Sequence, residues 1–167
     1  YEALAEARLV RGGGFQGARW TFRTTPHRPA GDSVTVATEG RADFRTVQGA
    51  LDYAMSLPRA QPLTINVRDG VYPELLYLRD KDNLTMRGAS REATIVRAAN
   101  SDTLNPGSGT GQEPGTPGIL GGRALFLAQD SDLLDIRDIA LHNSTLRLDG
   151  HSPQAETLYF SSRDGRL

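Results

Sequence analysis

The 167-residue sequence predicts an all-β fold of short strands with a single amphipathic helix near its start. Three observations carry that reading. Eighteen glycines and nine prolines cut the chain into brief segments, as many turns require. No strong helix pattern follows any strand, so a parallel α/β sheet, which needs a crossover helix after each strand, fits poorly. One stretch alone carries a clear 3.6-residue apolar stripe. Two architectures satisfy these facts: an antiparallel sandwich, or a solenoid whose strands stack coil upon coil. A solenoid needs its terminal coil covered, because an open end exposes unpaired backbone. A lone amphipathic helix ahead of many short strands suits that task, which favours the solenoid.

Residues 1–31 form a distinct opening. Residues 3–10 fit a short helix or strand, broken by Arg11-Gly12-Gly13-Gly14. Trp20-Thr21-Phe22-Arg23-Thr24 alternates aromatic and polar residues, a strand signal, and Pro26, Pro29 and Gly31 close it like a linker. A Gly-rich turn, an aromatic strand and a Pro-rich exit resemble the last hairpin of bacterial immunoglobulin-like domains. An arm packed on the main domain is the alternative.

The main domain is assigned to residues 32–167. Val34-Thr35-Val36 reads as a strand and Thr38-Glu39-Gly40 as its turn. Val47, Ala50, Leu51, Ala54 and Met55 then recur at helical spacing, with Asp43 or Thr46 available as N-cap and Pro58 just past the end. Strands follow at residues 63–67, 75–78, 84–86, 94–96, 124–128, 133–141 and 157–160. Asp69-Gly70 and the charged run Arg79-Asp80-Lys81-Asp82 are among the breaks. The Gly/Pro/Ser/Thr-rich tract 99–122 is too long for an ordinary connection and reads as a functional rim or an insertion.

Composition excludes several functions. Nineteen basic and twenty acidic residues give a net charge of -1, so no electrostatic footprint for nucleic acid is present. No apolar run approaches the ~20 residues of a membrane-spanning helix. Without cysteine, disulfides, thiolate zinc sites and cysteine nucleophiles are ruled out. No Gly-x-Ser-x-Gly elbow occurs, and His27, His142 and His151 lack metal-binding spacing. Asp130, Asp132, Asp135 and Asp138 crowd together. Their spacing is not that of a calcium loop, and turns with solvated strand faces account for them. Asn83-Leu84-Thr85 and Asn143-Ser144-Thr145 are glycosylation sequons by pattern only.

Five segments occur in a telling order. They are Gly40-Arg41-Ala42-Asp43-Phe44-Arg45-Thr46-Val47-Gln48-Gly49-Ala50-Leu51, Gly70-Val71-Tyr72-Pro73-Glu74, Asn83-Leu84-Thr85-Met86-Arg87-Gly88, Arg137-Asp138-Ile139-Ala140-Leu141-His142-Asn143 and Gln154-Ala155-Glu156-Thr157-Leu158. Together they resemble the opening half of pectin methylesterases (pectinesterases). The resemblance implies a right-handed parallel β-helix with an N-terminal capping helix. It also implies hydrolysis of galacturonate methyl esters in pectin, without metal or cofactor. In that family two aspartates serve as nucleophile and general acid/base, glutamines stabilise the oxyanion and an arginine orients the nucleophile. Gln154 falls on an oxyanion glutamine; Gly70, Tyr72 and Glu74 fall on a motif that shapes a turn, with Gly70 supplying a positive φ.

The family's Gln-Asp-Thr, Asp-Phe-(Ile/Val)-Phe-Gly and Leu-Gly-Arg-Pro-Trp segments do not occur in these residues. The 167 residues are therefore expected to be a truncated β-helix without turnover of its own, part of a secreted or periplasmic bacterial esterase that acts as a monomer on pectin. The rival expectation is a non-catalytic solenoid that binds acidic polysaccharide.

Overall fold

A computed structural model of the chain describes residues 2–6, 19–23, 29, 31–104, 123–146 and 153–162. The opening turn at Gly12, residues His27 and His151, and most of the 99–122 tract lie outside the described residues. Strands β1 (Glu2–Glu6) and β2 (Arg19–Arg23) pair antiparallel, Glu2 opposite Arg23 and Glu6 opposite Arg19. The described part of the first segment, Glu2–Glu6, is thus a strand.

From Ser33 onward every strand pairing among the described residues is parallel. After β3 (Ser33–Val36) and helix α1 (Val47–Met55), the chain winds three coils of three strands each. The first holds β4 (Leu63–Val67), β5 (Gly70–Tyr72) and β6 (Leu76–Arg79); the second β7 (Leu84–Gly88), β8 (Thr94–Ala98) and β9 (Phe126–Gln129). The third holds β10 (Leu134–Arg137), β11 (Ala140–Asn143) and β12 (Leu158–Phe160). Equivalent strands stack into three sheets, ordered β3-β4-β7-β10, β5-β8-β11 and β6-β9-β12. This is a parallel β-helix, and the antiparallel sandwich is excluded.

Alternation fills the interior. Leu63, Ile65 and Val67 point inward along β4 while Thr64 and Asn66 do not, the period of two that a half-buried strand imposes. Register then places like on like: Leu63, Leu84 and Leu134 align, as do Ile65, Met86 and Ile136. In the second sheet Tyr72, Val96 and Leu141 align. Burial declines along the stack, for Leu84, Met86 and Val96 are fully buried while Leu134, Ile136 and Leu141 are partly so.

The segment 133–141, expected as one strand, is two. Asp138 adopts φ 54° and turns the chain between the first and second sheets. Aspartate tolerates this left-handed conformation better than most residues because its short side chain bonds locally.

Thr46 caps α1, its hydroxyl accepting from the Gly49 N–H at 3.0 Å. Asp43, the other candidate, bonds the Thr35 N–H and hydroxyl instead, at 2.8 and 2.7 Å. Val47, Ala50, Leu51 and Ala54 are buried. The first turn of α1 has no acidic residue of its own; Glu74 supplies one from the first coil. Its carboxylate accepts from the Val47 N–H at 3.0 Å and the Gln48 N–H at 2.8 Å, satisfying donors that a helix start leaves open and complementing its dipole.

The helix also closes a sheet edge. Strand β6 ends its sheet, so its outer backbone groups lack a strand partner. Gln48 accepts from the Tyr77 N–H at 2.8 Å and donates to the Tyr77 carbonyl at 3.1 Å, while the Met55 sulfur accepts from the Arg79 N–H at 3.3 Å. The side-chain amide stands where the backbone of another strand would. Glu74→Ala is expected to lower stability by about 1–2 kcal/mol. Glu74→Gln should cost less, because an amide oxygen still accepts one N–H. Urea unfolding of the three proteins checks this, and equal stabilities would refute the capping role.

Candidate functional site

The residues around Gln154 are gathered from four connecting stretches, all between second-sheet and third-sheet strands. These are 99–104 after β8, 123–125 before β9, 143–146 after β11 and 153–157 before β12. Parallel pairing decides their order. The Leu125 N–H donates to the Glu156 carbonyl at 2.9 Å and the Phe126 N–H to the Thr157 carbonyl at 3.0 Å. The approaches to β9 and β12 are therefore laid side by side.

Two asparagines hold the base of this corner. Asn143 donates through Nδ2 to the Asn100 and Glu156 carbonyls, both at 2.9 Å, and its Oδ1 accepts from the Asn100 N–H at 3.2 Å. Asn100 is 2 % exposed and donates in turn to the Ala124 carbonyl at 2.9 Å. Thr145 completes the set, its hydroxyl 2.8 Å from both the Asn100 carbonyl and Asn143 Oδ1. The amide nitrogen of the Asn143 sequon is thus committed to the fold, and that of Asn83 donates to the Ala60 carbonyl at 3.0 Å.

On this base Gln154 is fixed at three points. Its N–H donates to Asp102 Oδ1 and its carbonyl accepts from the Asp102 N–H, each at 3.0 Å. Its side-chain oxygen accepts from Arg123 Nη1. Arg123 is anchored by Glu156, whose two carboxylate oxygens lie 2.7 and 2.8 Å from Arg123 Nε. The Gln154 amide nitrogen donates to no described residue, and the residue is exposed. An anchored amide with its donor end outward is able to stabilise negative charge that develops on a bound oxygen.

Gly70, Tyr72 and Glu74 lie in the first coil, whereas Gln154 lies in the third. Gly70 has φ 154°, and a side chain there would meet Thr38 Oγ1 at 3.4 Å. Tyr72 is 1 % exposed and its hydroxyl donates to the Arg68 carbonyl at 2.8 Å; burial pushes the phenol above its ordinary pKa. With Glu74 on the helix, this motif ties the first coil to the cap.

The four clustered aspartates are dispersed by the coil. Asp130 sits in a turn at φ 50° and Asp138 in another at φ 54°. Asp132 accepts from the Ser162 hydroxyl, and Asp135 pairs with Arg137, whose hydrogen bond holds the carboxyl below its usual pKa. Among the described residues no group of three or more His, Asp or Glu side chains is arranged to hold a metal ion. His142 is exposed on β11. Arg123, Asp102 and Glu156 carry no signal in the sequence that marks them for this corner. Glu156 occupies a variable position of the Gln-Ala-x-x-Leu segment, and Arg123 borders the glycine-rich tract, with no local pattern to mark either.

A family model for pectinesterase matches residues 33–133, more than half of the chain. The chain belongs to the pectinesterase family. No curated relative matches it. Among solved structures, pectin methylesterase from carrot is 25 % identical with a TM-score of 0.58, over 81 % of this chain and 38 % of that one. The pectin methylesterase PemA from Erwinia chrysanthemi is 22 % identical, TM-score 0.53, over 75 % and 38 % respectively. YbhC from Escherichia coli is 19 % identical, TM-score 0.55, over 84 % and 42 %. This pectinesterase chain therefore spans about two fifths of the length of the solved structures it resembles. Among its described residues no helix is long and apolar enough to cross a membrane.

Proposed function

We propose that this chain supplies the first coils of a pectinesterase that hydrolyses galacturonate methyl esters of pectin outside the cytoplasm, with Gln154 as an oxyanion donor. The observation that carries the reading is the exposed Gln154 amide, anchored through its oxygen, with its nitrogen bonded to none of the described residues. Attack on an ester carbonyl builds negative charge on the carbonyl oxygen, and a donor already aimed there needs no reorganisation as the charge forms. One ionised carboxylate attacks, and a second, protonated one gives its proton to the departing methoxide, which leaves as methanol. We assign both carboxylates to segments outside these 167 residues, in line with the absence of Gln-Asp-Thr and Asp-Phe-(Ile/Val)-Phe-Gly here. No cofactor takes part in this reading.

The test is methanol release from methyl-esterified pectin by the protein in its natural length. Gln154→Ala is expected to lower kcat by about 10²-fold with little change in KM. Unchanged turnover would remove Gln154 from the site. A wild-type protein that binds polygalacturonate yet releases no methanol would replace the esterase by a polysaccharide-binding solenoid.

A further inference from the structure

We propose that Arg123 and Glu156 form a positioning pair that decides which end of the Gln154 amide faces the reacting ester; this rests on the esterase reading above. A glutamine amide has an accepting oxygen and a donating nitrogen of nearly equal size, so geometry alone lets it sit either way round. A guanidinium only donates. With Arg123 Nη1 against the side chain, the oxygen must face Arg123 and the NH2 group must face away. Without Arg123 the flipped amide becomes available, and it would set oxygen lone pairs where the oxyanion forms.

Glu156 makes this control rigid. Its carboxylate grips Arg123 Nε through both oxygens, at 2.7 and 2.8 Å, with the two side chains 26 % and 33 % exposed. Charge-assisted contacts of this kind are the strong ones. The pair also joins two coils. Arg123 precedes β9, Glu156 precedes β12, and the ladder that bonds Leu125 to Glu156 and Phe126 to Thr157 fixes their separation. Asp102 clamps the Gln154 backbone independently, through its own N–H and Oδ1, so among the described residues Arg123 is the one that governs the side chain.

The pair is a positioning device, and its loss should appear in kcat rather than KM. In the protein of natural length, Arg123→Met is expected to lower kcat by about 10- to 100-fold on methyl-esterified pectin at unchanged KM. Glu156→Gln should act in the same direction, more weakly. Arg123→Met added to Gln154→Ala should cost nothing further, because no amide is left to orient, and Arg123→Lys should restore part of the rate. Independent losses in the double variant, or a full rate in Arg123→Met beside a slow Gln154→Ala, would overturn the positioning role and leave the esterase reading standing. A Gln154→Ala protein of undiminished kcat would overturn the reading itself, and the pair's role with it. Should Arg123→Met fail to fold, the NMR signals of the Gln154 side-chain NH2, identified by their loss in Gln154→Ala, decide through Glu156→Gln. Loss of their order supports the pair, and unchanged signals refute it.

Discussion

Gly88→Ala is expected to cost about 3 kcal/mol or more, the upper range for forcing extra volume into a packed interior. A Cβ on Gly88 would stand 1.9 Å from the Asp138 carbonyl oxygen, 2.8 Å from its carbonyl carbon and 3.0 Å from Thr94 Cβ. The nearest obstacle is backbone, which cannot rotate aside as a side chain can. It belongs to the corner where the third coil turns between its sheets, resting on the corresponding corner of the second. Relief requires the coils to part where β10 pairs with β7, from Leu134 opposite Leu84 to Arg137 opposite Arg87. Gly40→Ala is the informative contrast. Gly40 has φ 70° but open space around the missing Cβ, so its substitution should cost only the left-handed conformation, about 1–2 kcal/mol. Urea unfolding of both variants separates the two effects. A Gly88→Ala protein less than about 1 kcal/mol below wild type would show that the coils can separate freely at this corner.

The glycine at the end of the Asn83–Gly88 segment was visible in the sequence; its reason was not, because the atom that excludes a side chain lies fifty positions further on. The same division runs through the fold. Period-two alternation and the apolar stripe of α1 are local, and they placed most strands and the helix. Coil length is not local. The step from Leu63 to Leu84 is 21 residues and the step from Leu84 to Leu134 is 50, since the long tract intervenes between β8 and β9, so no repeat appears along the chain. The corner at Asp138 carries no local signal because it uses neither glycine nor proline. Gln154 and the Gly70–Glu74 motif were recognised by resemblance. Arg123, which orients Gln154, and Gln48, which closes the edge of β6, act only through partners from another part of the chain.

Lys81→Ala is the second change expected to be severe, about 3–4 kcal/mol from the lost stem packing and the abandoned acceptors together. The charged run from Arg79 to Asp82 reads only as a break between strands, yet Lys81 is 1 % exposed. Its ammonium donates to the carbonyls of Pro58 and Arg59 at 3.0 and 3.1 Å and also to that of Gln61. It thereby pins the exit from α1 to the turn between β6 and β7. Asp82 beside it is bound by Arg59 at 2.8 and 2.9 Å and by the Asp132 N–H at 2.9 Å. Lys81→Met keeps the apolar stem and abandons only the donors, so it should destabilise less than alanine. Burial pushes the ammonium below the ordinary lysine pKa, with Asp82 opposing the shift. Between that lowered value and an unfolded value near 10.4, the unfolded chain holds the extra proton. Wild-type stability should therefore rise relative to Lys81→Met as pH climbs through that window. Unfolding free energies of both proteins on either side of it give the test. A gap that narrows with rising pH would mean that the three carbonyls hold the proton more strongly than burial repels it.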